Sequence, residues 1–273
     1  MKNNIRIANE TLRIIKAGSY NKGGKKIKLI SGDYSEVKVY SPNKIYEIMN
    51  RKNDVSNDLF SASNNCNFYV VNKDSYQAAR SYEKPLVMNF ANAYQPGGGF
   101  RLGATAQEES LCRNSTLYAS ISSDKASEMY QYNLKHMSPT NSDYMLLSRD
   151  VCVFRDADCQ LLEIPYMVSV ITIPAPNKRG AAMFTRQSKL DAVMKERIRM
   201  MLKIAAENEY RTLILGAWGC GAFGHNAKKV AGYFKEILID EHYSKYFENV
   251  VFAILSGKQK NKLEAFLAAF KNN

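Results

Sequence analysis

Residues 212–239 read TLILGAWGCGAFGHNAKKVAGYFKEILI, and this stretch decides the fold class. The short run Thr212–Leu215 predicts a buried strand, and the apolar spacing over Ala227–Ile239 predicts a helix. The loop between them, Gly216–Gly224, has glycine at four of its nine positions. In α/β proteins ligands bind at the carboxyl ends of strands, where backbone N–H groups and a following helix N-terminus favour phosphate. The stretch therefore predicts an α/β fold with an anion-binding loop.

Outward from this unit, apolar runs and helical periodicity alternate over the last two-thirds of the chain. We predict further strands at residues 26–31, 36–41, 67–71, 85–90, 145–154, 167–173 and 250–255. We predict further helices at residues 4–17, 43–52, 105–122, 123–137, 188–208 and 261–270, and a polar loop at residues 56–67. Alternating strands and helices are typical of α/β layers with a mainly parallel or mixed sheet.

The composition is that of a globular chain, with 273 residues of which 45% are hydrophobic and 23% charged, and this excludes general disorder. No run of about 18 apolar residues occurs, and residues 1–20 lack the apolar segment of a signal peptide. We therefore expect a cytoplasmic protein with no membrane span. The five cysteines have no CxxC spacing, which argues against a disulfide framework or a structural zinc site. The net charge of +12 would attract polyanions, although the lysines are spread rather than clustered.

The glycines at 219, 221 and 224 also satisfy the GxGxxG pattern of dinucleotide-binding loops. In a dinucleotide-binding unit, however, an acidic residue ends the next strand and holds a ribose. Here the next predicted strand, residues 250–255, runs into Ser256-Gly257-Lys258. We therefore discount a nicotinamide-dependent oxidoreductase. Gly257-Lys258 also lacks the GxxxxGK frame of a P-loop.

A second glycine cluster, Gly97-Gly98-Gly99, follows the predicted strand at 85–90, and Gln107-Glu108-Glu109 begins eight residues later. Successive glycines allow positive φ and close approach to a ligand, but a tight structural loop has the same composition. Thr105 and Glu108 have the spacing of a capping box, which is the structural alternative for that glutamate. Successive helical side chains point about 100° apart, so the two glutamates cannot flank one bond as an ordinary glycosidase pair does. If they are catalytic, one acts as acid and then base while the other holds the substrate.

Other candidates for chemistry are weaker. Cys220 and His225 could form a thiol–imidazole pair, as in a cysteine hydrolase, but no third residue is available to orient them. We favour a small buried loop residue for Cys220 and expect His225 to face solvent or pack on the loop. We expect His136 and His242 at the surface. Trp218, the only tryptophan, is expected to anchor the loop by packing rather than to stack on a base.

The run from Asn89 to Gly99, followed by Gln107-Glu108-Glu109, resembles the signature of poly(ADP-ribose) glycohydrolases, and residues 218–224 resemble the diphosphate-binding loop of that family. Residues 6–20 are similar to the lead-in helix of its shorter, microbial-type members. The resemblance implies a macrodomain, a three-layer α/β/α sandwich with a mixed central sheet. The predicted division is a helical and strand extension, residues 1–60, packed on a catalytic core, residues 61–273. The resemblance also implies hydrolysis of the ribose–ribose O-glycosidic bond of poly(ADP-ribose) to ADP-ribose, without a metal or other cofactor.

The resemblance also implies residue roles. Glu109 matches the catalytic acid/base, and Glu108 matches the residue that fixes ribose hydroxyls. The other residues expected at the substrate are Asn92, Gly97, Gly98, Gly99, Gln107, Trp218, Gly219, Cys220, Gly221, Ala222 and Phe223. In this group, Gly219–Ala222 would hold the diphosphate through N–H groups, and Phe223 would pack against the reacting ribose.

Three other functions stay open. A macrodomain can bind ADP-ribose without cleaving it, in which case Glu109 would be dispensable. A related hydrolase could act on ADP-ribose linked to a protein, a nucleic acid or a metabolite. Nucleic-acid binding, suggested by the net charge, is the weakest alternative. The expected partners are poly(ADP-ribose) or ADP-ribosylated macromolecules and the product ADP-ribose, with no membrane partner and no direct nucleic-acid binding.

Overall fold

The computed structural model describes residues 2–30, 32–51, 66–256 and 261–271. In these ranges the helices are α1 (Lys2–Ala17), α2 (Pro42–Asn50), α3 (Ser75–Ala79), α4 (Gln107–Asn114), α5 (Leu117–Ile121), α6 (Ser127–His136), α7 (Gln187–Glu207), α8 (Ala227–Lys235) and α9 (Asn261–Phe270). The strands are β1 (Ser19–Lys22), β2 (Lys25–Lys28), β3 (Lys38–Tyr40), β4 (Asn67–Val71), β5 (Leu86–Ala91), β6 (Met145–Arg155), β7 (Leu161–Pro174), β8 (Thr212–Leu215) and β9 (Asn249–Ala253). The loop predicted at 56–67 lies outside the described residues up to position 65.

Seven strands form one mixed sheet in the order β3-β6-β7-β5-β8-β9-β4. The strands from β7 to β4 in this order are parallel, whereas β6 is antiparallel to both β3 and β7. Along β5, Leu86 and Met88 pack in the apolar cluster on one side of the sheet, and Val87 packs in the cluster on the other. Because both faces are covered, the central strands are predominantly apolar, and for this reason the sequence shows them as short apolar runs.

Helices cover the two faces of the sheet. One apolar cluster joins the sheet to α2, α7, α8 and α9, and the other joins it to α1, α3, α4, α5 and α6. The predicted three-layer α/β/α sandwich with a mixed central sheet is therefore confirmed.

The structure corrects several predicted elements. The helix predicted over 105–122 is two helices, because Ser115 adopts an extended conformation and pairs with Val153 of β6. The prediction missed β1 and α3, and β7 begins at Leu161 rather than at residue 167. Both missed elements have five residues or fewer, too few for a periodic pattern.

Residues 2–30 and 32–51 pack against the rest of the described chain, and two of their contacts bear on the sheet and on α4. Thr11 of α1 donates a buried 2.7 Å hydrogen bond to the carbonyl of Arg113, so α1 supports α4. Strand β3 pairs with β6 and forms an edge of the central sheet. The division at residue 60 stays a prediction, because that boundary lies outside the described residues.

The cysteines and the lengths of the helices bear on two predictions made from composition. All five cysteines are free, as the absence of a disulfide framework predicted. In the described ranges no helix has the length and apolar character that crossing a membrane requires.

Candidate active site

The two glycine clusters follow neighbouring strands and meet at one edge of the sheet. The first lies after β5 and the second after β8, and these strands are parallel neighbours. A cavity of about 530 Å³ opens between the clusters. Its lining residues are Asp74, Ser75, Tyr76, Phe90, Asn92, Thr105, Ala106, Gln107, Glu108, Glu109, Ser110, Leu111, Asn114, Ala175, Ala217, Trp218, Gly219, Gly221, Ala222, Phe223, Ala253, Ile254, Leu255 and Lys262. A volume of this size is typical of small-molecule sites.

The first glycine cluster lies directly against both acidic residues. Gly97 and Gly98 have φ values of +70° and +54°, which favour glycine. A Cβ atom at Gly98 would lie 2.6 Å from Oε1 of Glu109 and 3.2 Å from Oε2 of Glu108. Glycine is therefore required here both by conformation and by the close approach of two carboxyl groups.

Glu108 does not cap its helix. The N-cap of α4 is Ala106, with no side-chain capping bond, so the capping box predicted for Thr105 and Glu108 is wrong. Instead, Oε2 of Glu108 accepts a 2.7 Å hydrogen bond from the Asn92 amide, and Oε1 accepts a 3.4 Å bond from the Asn89 side chain. Burial raises the pKa of Glu108 to about 8, against the opposing effect of these hydrogen bonds. This carboxyl group is therefore mainly neutral at pH 7.

Glu109 has one oxygen fixed and one without a partner. The Gly99 amide donates a 2.9 Å hydrogen bond to Oε1. Oε2 is buried and has no hydrogen-bond partner within the described part of the chain. Glu109 as a residue belongs to the cavity lining.

Gln107 and Asn92 use much of their hydrogen-bonding capacity inside the protein. The Gln107 side chain accepts from the Phe90 amide at 2.9 Å and donates to the Met88 carbonyl at 2.8 Å and to Ser75 at 3.1 Å. Gln107 therefore ties α4 to β5, a role that sequence reasoning missed. The side-chain oxygen of Asn92 accepts from the amides at positions 94 and 95, which shapes the turn beneath the cavity.

The second glycine cluster forms a loop anchored by Trp218. This side chain is fully buried, and its indole N–H donates to the Ile173 carbonyl at 3.1 Å, as expected of a packing anchor. Gly219 has a φ of +73°, and a Cβ atom there would lie 2.9 Å from the His225 ring. In the described residues no acceptor is bonded to the amides of Gly219, Gly221, Ala222 and Phe223. A concave run of N–H groups without internal acceptors is suited to an anion.

Cys220 and His225 do not form a catalytic pair. The Cys220 thiol donates to the Trp218 carbonyl at 3.6 Å, and burial raises its pKa to about 12. His225 is buried, and its Nε2 lies 2.8 Å from the Pro176 carbonyl. Of the two alternatives predicted for this residue, packing on the loop is confirmed and exposure to solvent is wrong. His136 and His242 are exposed, as predicted. The residues that line the cavity do not include Cys220 or the glycine triplet, Gly97 to Gly99.

Lys262 is a cavity residue that sequence reasoning missed. It lies in the first turn of α9, and it is the one basic side chain in the cavity lining of the described residues. No carboxylate in those residues forms an ion pair with it. Its charge lies near Cys220 in the second glycine cluster. No pattern in the sequence connects a lysine on the last helix to this loop.

Comparisons with known proteins identify relatives of this chain. The family model described as the microbial-type PARG catalytic domain matches residues 8–156. Poly(ADP-ribose) glycohydrolase (PARG) from Thermomonospora curvata, bound to the inhibitor ADP-HPD, is 31% identical, with a TM-score of 0.87 over 99% of this chain and 100% of that chain. The enzyme from Deinococcus radiodurans in complex with ADP-ribose is 33% identical, with a TM-score of 0.75 over 86% of this chain and 94% of that chain. No curated protein matches the chain significantly.

Proposed function

Because this chain belongs to the microbial-type poly(ADP-ribose) glycohydrolase family, we propose that it hydrolyses the ribose–ribose O-glycosidic bonds of poly(ADP-ribose) and releases ADP-ribose. The enzyme is a glycosidase whose cavity takes the ADP-ribose unit at the reacting bond. The observation that carries the assignment of the chemistry is the pair of oxygens on Glu109, a residue of the cavity lining: one oxygen is held by Gly99 and the other has no partner among the described residues.

Glu109 is the general acid and then the general base. In its protonated form it donates a proton to the glycosidic oxygen, the bond from that oxygen to the anomeric carbon breaks, and the bonding electron pair stays on the oxygen. The neighbouring unit leaves as an alcohol, and the ribose becomes an oxocarbenium-like cation. The ionised Glu109 then takes a proton from water as the water oxygen bonds to the anomeric carbon. Glu109 thereby regains its proton, and one carboxyl group serves both steps.

Glu108 holds the ribose rather than reacting with it. Its two oxygens already accept hydrogen bonds from the protein, and its carboxyl group is mainly neutral because burial raises its pKa to about 8. A neutral carboxyl group can donate to a ribose hydroxyl, and it adds no second negative charge beside Glu109. The two adjacent carboxyl groups lie in different environments, so Glu109 can exchange protons with the substrate while Glu108 binds the ribose.

The second glycine cluster and Lys262 bind the diphosphate. The N–H groups of Gly219, Gly221, Ala222 and Phe223 have no acceptor in the described residues, which supports an anion site, whereas the Cys220 amide is bonded to the Ala217 carbonyl. Lys262 adds a positive charge to the same cavity. Phe223 lines the cavity beside these amides and packs against the reacting ribose. The bound diphosphate, being negative, helps to stabilise the cationic ribose in the transition state.

The experiment compares wild type with Glu109→Gln for ADP-ribose release from poly(ADP-ribose) and for ADP-ribose affinity. We expect the variant to lose at least about 100-fold in release rate and to keep its affinity within a few-fold. Glu163→Gln, an exposed substitution of the same kind, is the matched control. An active Glu109→Gln enzyme would contradict the role of Glu109. A wild type that binds ADP-ribose but never cleaves the polymer would instead be a binding module or a hydrolase of another ADP-ribosyl linkage.

A further inference from the structure

The segment from Asn177 to Lys189, here called the basic loop, has an unusual surface. It reads NKRGAAMFTRQSK, with four basic residues and no acidic residue. Phe184 is 91% exposed, the highest value among the large apolar side chains of the described residues. Ala182 is fully buried, so the basic loop packs on the protein there, and its amide donates to the Asn177 carbonyl at 3.0 Å in a turn within the loop. An aromatic ring is thus presented to solvent on a fixed, positively charged support.

The basic loop borders the active site through Arg179. A Cβ atom at Gly224 would lie 2.8 Å from Nε of Arg179 and 2.9 Å from its Cγ, so this side chain lies along the end of the second glycine cluster. Phe223, the adjoining residue, lines the cavity. Just before the basic loop, Ala175 also lines the cavity, and the Pro176 carbonyl contacts His225. The basic loop therefore lies beside the cavity without contributing to its lining.

The reaction needs a place for the leaving group. The cavity takes one ADP-ribose unit, and the scissile bond joins that unit to the next one in the polymer. The next unit carries an adenine base and two negative charges on its diphosphate, and it must lie outside the cavity. A surface for it would combine an aromatic ring with cations, because bases stack on aromatic side chains and cations attract the phosphates.

We propose that the basic loop binds the ADP-ribose unit on the leaving side of the scissile bond, with Phe184 stacked on its adenine and Arg179 and Arg186 against its diphosphate. This inference rests on the proposed function. It makes the basic loop a determinant of preference for polymer over ADP-ribose attached to other groups. The charge of the loop and the exposure of Phe184 both follow from that role.

The test compares two substrates, poly(ADP-ribose) and an ADP-ribosyl glycoside whose leaving group is a small phenol. For Phe184→Ala we expect KM for the polymer to rise about tenfold with kcat unchanged, while both constants for the phenyl glycoside stay at wild-type values. Phe184→Tyr should restore the polymer KM, because it keeps the ring. Ile164→Ala removes an exposed apolar side chain elsewhere and is the control. In a Glu109→Gln background, Phe184→Ala should weaken polymer binding but not ADP-ribose binding.

The outcomes separate the two proposals. A wild type that cleaves neither substrate contradicts the proposed function, and this inference with it. If wild type cleaves both substrates and Phe184→Ala leaves KM for the polymer unchanged, only this inference is overturned. Equal losses on the two substrates would also overturn it, because they indicate damage to the cavity. If Phe184→Ala changes only self-association, measured by sedimentation, then the basic loop is a contact between copies of the chain and the proposal is wrong.

Discussion

The amide of Gly99 donates a 2.9 Å hydrogen bond to Oε1 of Glu109, so the two oxygens of this carboxyl group are not equivalent. Oε1 is bonded to the backbone, whereas Oε2 is buried and has no hydrogen-bond partner among the described residues. The bond also joins the loop after β5 to the first turn of α4, so the glycine triplet and the acidic pair form one structural unit. A side chain on the triplet would therefore act on the acid itself.

Gly98→Ala should disable the enzyme. The new Cβ atom would lie 2.6 Å from Oε1 of Glu109, and an L-residue at φ +54° is strained by about 1–2 kcal/mol. We expect kcat to fall at least about tenfold and the thermal midpoint to drop. Gly232→Ala, on α8 with open space around its Cβ, is the control and should be neutral or slightly stabilising. Wild-type kcat for Gly98→Ala would show that Glu109 does not depend on this approach.

Glu108 makes stability depend on pH in a defined direction. Burial raises its pKa from 4.5 to about 8, so between these values the folded protein binds more protons than the unfolded chain. The stabilising contribution of the neutral group is complete below pH 4.5 and is lost as pH rises through 8, with a slope of up to about 1.4 kcal/mol per pH unit. Glu108→Gln removes this titration. Because Gln stays neutral at every pH, wild type and variant should have similar thermal midpoints near pH 5, and the midpoint of wild type should fall relative to that of the variant by pH 8.5. A difference independent of pH would contradict the shift.

Much of the fold was predictable because its central elements carry strong local patterns. The bounds of β4, β8 and α9 agree with the prediction to the residue. For β8 the reason is burial on both faces, which makes a parallel strand a continuous apolar run. The break at Ser115 was not predictable from helical spacing, because it is caused by pairing with Val153, far along the chain. Long-range pairing of this kind leaves no periodic signal in the segment it interrupts.

The site was predictable in its motifs but not in its hydrogen bonds. The acidic pair and both glycine clusters were identified from the sequence. The structure places the acidic pair and the second cluster in the lining of one cavity, and the first cluster directly against the acidic pair. The sequence does not reveal which oxygen of Glu109 accepts the Gly99 hydrogen bond. It also does not reveal that Gln107 bonds to β5 rather than facing outward. Both depend on side-chain geometry. Lys262 enters from the last helix, whose position follows from sheet order and not from any spacing.

Lys262→Ala should weaken ADP-ribose binding about tenfold, the value of one charge-assisted contact to a phosphate. Adenosine, which has no diphosphate, should bind wild type and variant equally. The loss should diminish at high salt, because ions screen the charge. Lys228→Ala, an exposed lysine on α8, is the control for net charge. Calorimetric titration with both ligands measures the effect, and an unchanged ADP-ribose Kd would remove Lys262 from the diphosphate site.

Gln107→Ala should separate positioning from binding. The substitution leaves the Phe90 amide and the Met88 carbonyl without their side-chain partner, at a cost of about 1–3 kcal/mol for each group that stays unsatisfied. Because Gln107 ties the first turn of α4 to β5, and that turn carries Glu109, we expect kcat to fall while ADP-ribose affinity changes little. Gln131→Ala, which removes only an exposed 3.4 Å bond on α6, should leave stability and kcat unaltered. Urea unfolding and steady-state kinetics on the same preparations test both effects. A Gln107→Ala enzyme of unchanged stability that loses ADP-ribose affinity instead of kcat would make Gln107 a substrate ligand, because a residue that only positions α4 cannot give that combination.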